Sequence, residues 1–432
     1  MRSIFFAILM LALNAATLNA QLNIDGPHKH SDEAAERRLA AFEMVWKTVN
    51  DNHYDPTFGG VDWAAVRTKY EPLAKATKTD GELHALLGKM LGELKLSHFG
   101  VFETDPNIET GEHKKGSVGV EIKQSGGKMI VFQVINGSSA EAAGIKRGTI
   151  IRGINGKTVE ELLKPLDKAL AERETTTASK TIYRERTVAA ILDGEVGSVV
   201  KVDISFGDQP DKTIEIKRTD LNIEMSQAMG NFPPQEVFFE SKRLDGDIGY
   251  IRFNMWIMPQ MAKIRAAMAG FADAKGLIVD LRGNPGGIGG MAPGFGGLIF
   301  DKQVSLGSMK SRANTMNFIV YPQKDPFLGK VVLLTDHGSG STSEVFAAGL
   351  QELGRAKIVG TTSAGAVLPS VFTKLPTGAT FQYAISDYRS PQSVLIEGKG
   401  VEPDVTIDLD IIKLQTGKDS QLEKAVEIIL GK

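Results

Sequence analysis

A serine-rich turn at Gly338–Glu344 holds the residues of this 432-residue chain whose types and spacing best suit nucleophilic chemistry. An apolar run that ends at Thr335 precedes the turn and an alanine-rich run from Val345 follows it, which predicts a strand, a tight turn and a helix. A hydroxyl on such a turn lies near the free N–H groups of the helix start, which can stabilise developing oxyanion charge. The spacing also fits a capping box alone, with Ser341 as N-cap and Glu344 three residues later.

Two segments resemble the tail-specific, or C-terminal processing, serine peptidases. The serine-rich turn is similar to their nucleophile motif, in which the serine directly before a glutamate attacks the scissile carbonyl, so the resemblance makes Ser343 the nucleophile. The run Leu277–Gly287 is similar to the strand and glycine turn of the same family. By that resemblance the N–H of Gly286 or Gly287 completes an oxyanion hole with the N–H of Glu344. Glycine suits this position because it has no Cβ to block a substrate.

A serine hydroxyl needs a base, and the usual base of the bacterial tail-specific proteases is missing from its place. Their lysine follows a turn of the form Gly-x-x-x-x-Gly; the matching turn here is Gly360–Gly365, and Ala366 follows it. Ser97-His98 resembles the Ser-His pair of the tricorn core protease branch. Glu397, which begins a Glu-x-x-Gly-Val-x-Pro-Asp segment, resembles that branch's site carboxylate.

The resemblance implies a catalytic tetrad of Ser343, His98, Ser97 and Glu397. In it His98 removes the proton of the Ser343 hydroxyl and later returns it to the leaving amine, while Ser97 and Glu397 orient the imidazole. An imidazole titrates near neutral pH and is well matched to this transfer. His337 is the main rival base, although we expect it to point away from Ser343 because the two are chain neighbours.

The surrounding sequence predicts an α/β multidomain protein. Apolar residues recur at helical spacing from Asp32 to Leu96, which predicts a helical N-terminal segment, and apolar strands alternate with helices from Gly246 onward. Such strands are typical of a buried sheet with catalytic groups in the loops after them, and the resemblance implies a ClpP/crotonase-like α/β catalytic core. The predicted segments are a signal peptide (1–20), a polar leader (21–34), a helical domain (35–110), a PDZ-like domain (115–220) and the catalytic domain (221–432).

The predicted PDZ-like β-domain lies between the helical and catalytic parts. Its sequence alternates in the manner of strands, with a short helix predicted at Ser138–Ala143 and a tight turn at Asn155-Gly156. The order of these elements resembles a PDZ domain, whose loop offers N–H groups to a peptide C-terminus while the adjacent strand edge pairs with the peptide. The resemblance implies a peptide-binding loop of Val118, Gly119 and Val120. A β-domain that only spaces its neighbours is the alternative.

Composition and the N-terminus indicate an exported protein. The formal net charge of −2 gives no basic field for a nucleic-acid partner. Arg2, an apolar run from Ile4 to Leu13 and small residues up to Ala20 form a secretory-signal pattern that is too short to span a bilayer. The chain has no cysteine for a disulfide or a lipid anchor, and no motif has metal-ligand spacing. We expect a periplasmic or secreted enzyme with protein or peptide substrates, without a stable membrane anchor, a metal or a cofactor.

The sequence leaves three alternatives. Gly287–Ala292 fits a dinucleotide-binding pattern, but a proline interrupts the helix that should follow, and soluble nicotinamide cofactors are scarce outside the cell. A non-catalytic peptide-binding protein that keeps the protease fold would also explain Ala366. A relocated lysine, Lys357 or Lys399, would act as base in place of His98.

Overall fold

A computed structural model describes residues 29–103, 115–171 and 175–432. The predicted signal peptide and most of the polar leader lie outside these residues. The α/β multidomain class predicted from the sequence is confirmed, with a helical N-terminal unit, a β-rich middle unit and a mixed C-terminal unit. Within the described ranges, no helix combines the length and the apolar character needed to cross a membrane.

The N-terminal unit is helical, as predicted. Its elements are α1 (Lys29–Asn52), a 3₁₀ turn (Phe58–Gly60), α2 (Trp63–Ala76), α3 (Asp80–Gly92) and a short strand β1 (Gly100–Phe102). Asp62 caps the start of α2, because its side chain accepts the Ala65 N–H at 2.9 Å. Leu83 and Leu87 of α3 are fully buried in the core that the helices share. The segment that carries His98 therefore follows directly after a well-packed helical core.

The middle unit is built on a sheet with the order β3-β4-β5-β8-β9, in which neighbouring strands are antiparallel. Its strands are β2 (Lys115–Gly116), β3 (Val120–Ser125), β4 (Lys128–Val134), β5 (Ile150–Ile154), β6 (Lys157–Thr158), β7 (Gly194–Glu195), β8 (Val199–Ser205) and β9 (Lys212–Lys217). Its helices are α4 (Ser139–Ala142), α5 (Val159–Ala171) and α6 (Thr177–Leu192). The predicted tight turn joins β5 to β6, with positive φ at both Asn155 and Gly156. Strand β3 is an edge strand, and α6 packs along it.

The C-terminal unit is a central sheet with helices on both faces. Its strands are β10 (Phe239–Leu244), β11 (Ile248–Phe253), β12 (Gly276–Asp280), β13 (Val304–Lys310), β14 (Thr315–Val320), β15 (Lys330–Thr335), β16 (Ala356–Gly360), β17 (Ser370–Lys374), β18 (Thr380–Ala384), β19 (Asp387–Arg389) and β20 (Val405–Thr406). Its helices are α7 (Met258–Gly270), α8 (Met291–Gly296), α9 (Thr342–Glu352), α10 (Ile411–Gln415) and α11 (Ser420–Leu430). The central order is β10-β11-β12-β15-β16-β20, parallel from β11 onward, and β11 and β12 are wholly buried, as their apolar sequences predict.

The loops that follow β12, β15 and β16 meet at one edge of the central sheet. The Gly340 N–H donates to the Asn284 carbonyl at 3.0 Å, and the Ala364 N–H donates to the Ser339 carbonyl at 2.9 Å. Outside the central sheet, β1 pairs with β18 and β18 with β17. Because His98 lies just before β1, this small sheet brings the end of the helical unit to the same edge of the central sheet.

Candidate active site

Ser97, His98 and Glu397 come together from opposite ends of the chain. The Glu397 carboxylate accepts the Ser97 main-chain N–H at 2.7 Å and the Ser97 hydroxyl at 3.0 Å. The same hydroxyl lies 2.6 Å from Nδ1 of His98. Because its single proton goes to Glu397, we assign the Nδ1 atom as protonated, which leaves Nε2 with a free lone pair. This is the tautomer that a general base needs.

His98 sits on a strained backbone and away from water. Its φ of 59° lies in the left-handed region that few non-glycine residues adopt, and the residue is only 6% exposed. Burial lowers the pKa of His98 to about 4, so the imidazole is neutral at pH 7. A neutral buried imidazole can accept a proton as soon as a neighbouring oxyanion compensates the new charge.

Ser343, the nucleophile predicted from the sequence, is fully buried behind the turn. Its Oγ accepts the indole N–H of Trp256 at 2.9 Å and donates to the Asn284 carbonyl at 3.0 Å. Within the described residues it forms no hydrogen bond with His98. A nucleophile must reach a substrate carbonyl, so these contacts do not support attack by Ser343. They make it a link between α9 and the turn after β12.

Ser341 occupies the exposed corner of the same turn. It is the N-cap residue of α9, as the capping pattern predicts, and it is partly exposed. Its φ of 52° and ψ of −118° are unusual for a residue with a side chain. A strained strand-to-helix turn of this kind is how α/β hydrolases expose a nucleophilic serine. The contacts therefore favour Ser341 over Ser343 as the attacking hydroxyl.

Two main-chain N–H groups beside Ser341 are free to bind a ligand. The N–H groups of Thr342 and Gly287 donate to no other residue that the structure describes. A Cβ placed on Gly286 would lie 2.5 Å from the Ser341 Cβ and 2.9 Å from the Thr342 nitrogen, so the glycine turn packs directly against the serine. Sequence reasoning missed Thr342, although an oxyanion donor commonly comes from the residue after the nucleophile.

The other predicted oxyanion donors are already engaged. The Gly286 N–H donates to Oδ1 of Asn284 at 3.0 Å, and the Glu344 N–H donates to the Ser341 carbonyl at 2.8 Å. The N–H groups of Gly286 and Glu344 therefore stabilise the turns themselves and are not available to an oxyanion. Among the predicted donors, the structure leaves Gly287 with an unpaired N–H in the described part of the chain.

Gly287 is required by the packing of the protein itself. A Cβ at this position would lie 2.2 Å from the carbonyl oxygen of Trp256. The N–H of Trp256 donates to the Gly286 carbonyl, and its carbonyl accepts the Ile288 N–H. The helix that follows, α8, has only 6 residues. These contacts account for the glycine pattern without a bound dinucleotide.

Residues 365–368, the segment after β16, join the serine turn to the base. The Ala366 carbonyl accepts the Ser341 N–H at 2.8 Å, and the Val367 N–H donates to the Glu397 carboxylate at 3.0 Å. The Leu368 N–H also binds Glu397. Burial raises the pKa of Glu397 above its ordinary value, although the hydrogen bonds from Val367, Ser97 and Leu368 act in the opposite direction.

No lysine takes the place of the base among the described residues. Ala366, which stands where the resembling family keeps its lysine, is 7% exposed. Lys357 pairs with Asp404 at 2.7 Å on β16, and Lys399 is exposed on a loop. Neither forms a hydrogen bond with the serine turn. The relocated-lysine alternative therefore has no support in the geometry.

His337 contacts the middle unit. Its Nε2 lies 2.8 Å from a carboxylate oxygen of Glu185 on α6. Burial alone lowers the pKa of His337, but the charge and hydrogen bond of Glu185 raise it above its ordinary value. Next to it, Lys123 of β3 pairs with Asp336 at 2.6 Å, and both are buried. His337 thus belongs to a buried polar junction between the units.

The predicted peptide-binding loop of Val118, Gly119 and Val120 leads directly into β3, whose first residue is Val120. Gly119 has a φ of 86°, and its carbonyl accepts the Ile135 N–H at 2.9 Å. Along the adjacent edge of β3, the Gln124 N–H donates to Glu185 at 2.6 Å. A peptide that pairs with this edge must replace that contact. Peptide binding by this loop stays a prediction.

Comparisons with known proteins match three parts of the chain to family models. Residues 247–407 match the model of peptidase family S41, residues 34–92 match the tricorn protease C1 domain, and residues 107–179 match the PDZ domain. A CtpA-like serine protease of Staphylococcus epidermidis is 25% identical over 392 residues, which cover 88% of this chain and 68% of the relative.

Solved structures share the fold at low sequence identity. The photosystem II D1 C-terminal processing protease aligns with a TM-score of 0.55 and 22% identity over 87% of this chain and 95% of its own. Mature CPAF complexed with lactacystin aligns with a TM-score of 0.62 and 14% identity over 93% of this chain and 100% of its own. Because both identities are below 25%, these alignments are evidence for a shared fold only.

Proposed function

We propose that this chain, a serine peptidase that carries a family S41 domain with tricorn protease C1 and PDZ domains, is an exported endopeptidase whose nucleophile is Ser341. One observation carries the proposal: Ser341 is a strained, partly exposed serine, and the N–H groups of Thr342, which follows it, and of Gly287, in the glycine turn packed against it, donate to no other residue that the structure describes. Ser341 replaces Ser343, which the sequence alone favoured, because the Ser343 hydroxyl is buried and engaged on both sides.

The proposed reaction is acyl transfer through a covalent intermediate. Nε2 of His98 takes the proton of the Ser341 hydroxyl as Oγ bonds to the scissile carbonyl carbon. The carbonyl oxygen becomes an oxyanion that the N–H groups of Thr342 and Gly287 stabilise. The imidazolium then protonates the leaving amine as the C–N bond breaks. Water repeats these steps to hydrolyse the acyl-enzyme and restore the serine.

Ser97 and Glu397 are proposed to serve the base. When His98 carries a second proton, its Nδ1–H remains bonded to the Ser97 hydroxyl, which is itself bonded to the Glu397 carboxylate. The negative charge of Glu397 thereby stabilises the imidazolium through one intervening hydroxyl. In this proposal the chain of hydrogen bonds also orients the His98 ring, so that Nε2 can take the proton of the Ser341 hydroxyl.

The PDZ domain is proposed to engage substrate, with carboxyl termini as the preferred ligand. A relative of similar fold is named for C-terminal processing, and PDZ loops capture terminal carboxylates with main-chain N–H groups. Export is proposed from the signal-like residues 1–20, with cleavage near Ala20. Sequencing of the mature N-terminus and fractionation of the expressing cells would test it; an uncleaved cytoplasmic product contradicts it.

The nucleophile can be identified directly. The wild type and the Ser341→Ala and Ser343→Ala variants should be incubated with an unstructured protein, and a fluorophosphonate-labelled wild type should be mapped by mass spectrometry. We expect the label on Ser341, a loss of several orders of magnitude in kcat/KM for Ser341→Ala, and residual turnover for Ser343→Ala. Thermal unfolding of the wild type and both variants shows whether each variant is folded.

The opposite results have defined meanings. A label on Ser343 with an active Ser341→Ala variant returns the nucleophile to Ser343. A wild type that neither labels nor cleaves, yet binds peptides, supports the non-catalytic peptide-binding alternative.

A further inference from the structure

The side chain of Glu344 is enclosed by hydrogen-bond donors at the base of the serine turn. One carboxylate oxygen accepts the N–H of Ser341 at 3.1 Å and that of Ala366 at 2.9 Å. The other accepts the Gly365 N–H at 2.7 Å and the Ser363 hydroxyl at 2.5 Å. Glu344 itself is fully buried. Four donors on two oxygens are what an ionised carboxylate can accept and what a protonated carboxyl cannot.

The same segment holds the carboxylate that orients the base. Successive N–H groups of residues 365 and 366 bind Glu344, and those of residues 367 and 368 bind Glu397. Ser341 is attached to the first pair, and Ser97-His98 to the second through Glu397. Residues 365–368 therefore set the spacing between the proposed nucleophile and the proposed base.

We propose that Glu344 is a positioning residue whose ionised side chain holds the Ser341 turn against residues 365–368, at the spacing that proton transfer to His98 requires. The inference rests on the proposed function and gives the side chain of Glu344 a role there. It differs from the main-chain oxyanion role expected from the sequence, because the Glu344 N–H is bonded to the Ser341 carbonyl. Misplacement of a reacting group by about 1 Å can lower a rate by about 100-fold.

The charge on Glu344 is sensitive to pH near neutrality. Burial raises the pKa of Glu344 to about 7, and the charge of Glu397 acts in the same direction, while hydrogen bonds from Ser363, Gly365 and Ala366 oppose the rise. Glu397 and Tyr388 are the titratable groups that interact with it in the described part of the chain. Glu344 therefore gains a proton as the pH falls through about 7.

A protonated Glu344 can no longer accept all four donors, because its new O–H group occupies one acceptor position. Among its four hydrogen-bond partners only the Ser363 oxygen, which already accepts the Val401 N–H at 2.7 Å, has a lone pair left for that O–H group, and it can accept only if it turns its own proton away. Protonation therefore rearranges the hydrogen bonds that hold the serine turn against residues 365–368. His98 stays neutral down to a pKa of about 4, so protonation of the base does not account for a loss of activity near pH 7. We assign the expected loss to Glu344, and the Glu344→Gln variant separates it from titration of Glu397, whose pKa burial also raises.

The test is the pH profile of kcat for the wild type and Glu344→Gln. The wild type should lose activity as the pH falls through about 7. Glu344→Gln cannot titrate and cannot accept all four donors, so its kcat should be about 10- to 100-fold lower and flat from about pH 5.5 to 8. KM should change little, because Glu344 is buried away from substrate.

Ser363→Ala provides a second variant that keeps the carboxyl. It removes one hydrogen bond to the ionised form, which raises the pKa of Glu344 and moves the acid limb of kcat to higher pH. Ser390→Ala is the matched control: its hydroxyl donates to Glu352 at 2.6 Å, at the far end of the same helix. The control should leave the limb in place.

The outcomes separate this inference from the proposed function. If Glu344→Gln keeps the wild-type acid limb, or if Ser363→Ala leaves the limb where it was, Glu344 is not the positioning group. If Glu344→Gln does not fold, as judged by circular dichroism, Ser363→Ala decides alone. Failure of the nucleophile assignment appears separately, as a fluorophosphonate label on a serine other than Ser341.

Discussion

Ser97 and Glu397 share two hydrogen bonds although 300 residues of sequence separate them. The carboxylate takes the N–H of Ser97 and its hydroxyl together, so both the backbone and the side chain of Ser97 are fixed. His98 follows directly and binds the same hydroxyl, so the contact between Ser97 and Glu397 joins the helical unit to the C-terminal unit and fixes the proposed base.

Removal of the Ser97 hydroxyl should disturb catalysis more than folding. Ser97→Ala keeps the N–H contact with Glu397 but leaves Nδ1 of His98 without its partner, so the tautomer and the ring orientation are no longer fixed. We expect kcat to fall by about 10- to 1,000-fold, less than for loss of a directly bonded triad carboxylate, with KM nearly unchanged. Steady-state kinetics on a fluorogenic peptide measure it. An unchanged kcat would remove Ser97 from the site.

Substitution of His98 should be as damaging as substitution of Ser341. Asparagine tolerates the left-handed φ of 59° better than most residues, so His98→Asn should fold. Its kcat/KM should match that of Ser341→Ala, and the double variant should be little worse than either, because the two residues act as one unit. Additive losses in the double variant would show that they act independently.

The free energy of unfolding at acid pH should depend on the titration of the His98 imidazole. Burial places the folded pKa of His98 at about 4, below its ordinary value of 6.5, so the unfolded chain binds more protons between these pH values. Its contribution to stability is therefore complete above about pH 6.5 and is lost as the pH falls towards 4, by about 2 kcal/mol at pH 5. His98→Asn should lose correspondingly less free energy of unfolding between pH 7.5 and 5 in urea titrations. Parallel losses in both proteins would contradict the buried neutral imidazole.

The buried pair of Lys123 and Asp336 should dominate the stability of the junction. Lys123→Met leaves Asp336 buried with two main-chain N–H partners and without its direct ion-pair partner, although the neighbouring His337 still interacts with its charge. We expect this to cost about 3–5 kcal/mol in urea unfolding. Lys201→Met is the control, because Lys201 pairs with Glu215 at 3.1 Å on the exposed face of the same sheet and should cost less than about 1 kcal/mol. Similar costs for both variants would show that the junction is not a buried ion pair in solution.

The proposed end recognition predicts a difference between acid and amide substrates. A peptide with a free C-terminal carboxylate should show a lower KM than its C-terminal amide, because the charged carboxylate accepts the loop N–H groups more strongly than a neutral amide oxygen does. Gly119→Val should abolish that difference, since a Cβ there would lie 2.3 Å from the Ser138 Cβ and distort the loop. Equal KM values for acid and amide in the wild type would mean that the PDZ domain does not select ends.

The sequence by itself determined the elements and the chemical types at the site. Periodicity located the helices before His98 and the buried strands before the glycine and serine turns, because apolar spacing reflects which face of an element meets the core. The position of Ala366 excluded the usual lysine, and the resemblance supplied Ser97, His98 and Glu397, which the structure places in one hydrogen-bonded chain. These features are local, so neighbouring residues suffice to reveal them.

The proposal of Ser341 in place of Ser343 as the nucleophile rests only on the tertiary structure. The two serines differ in their neighbours in the fold: Trp256 and Asn284 enclose Ser343, while Gly286 packs beside a partly exposed, strained Ser341. The capping pattern was the one available signal, since an N-cap residue lies at the corner of the turn, outside the helix. Which N–H groups stay unpaired, and how a buried carboxylate such as Glu344 titrates, depend on partners from distant strands. Sequence spacing does not encode those distances, because long-range contacts form only when the loops of a parallel sheet meet at its edge.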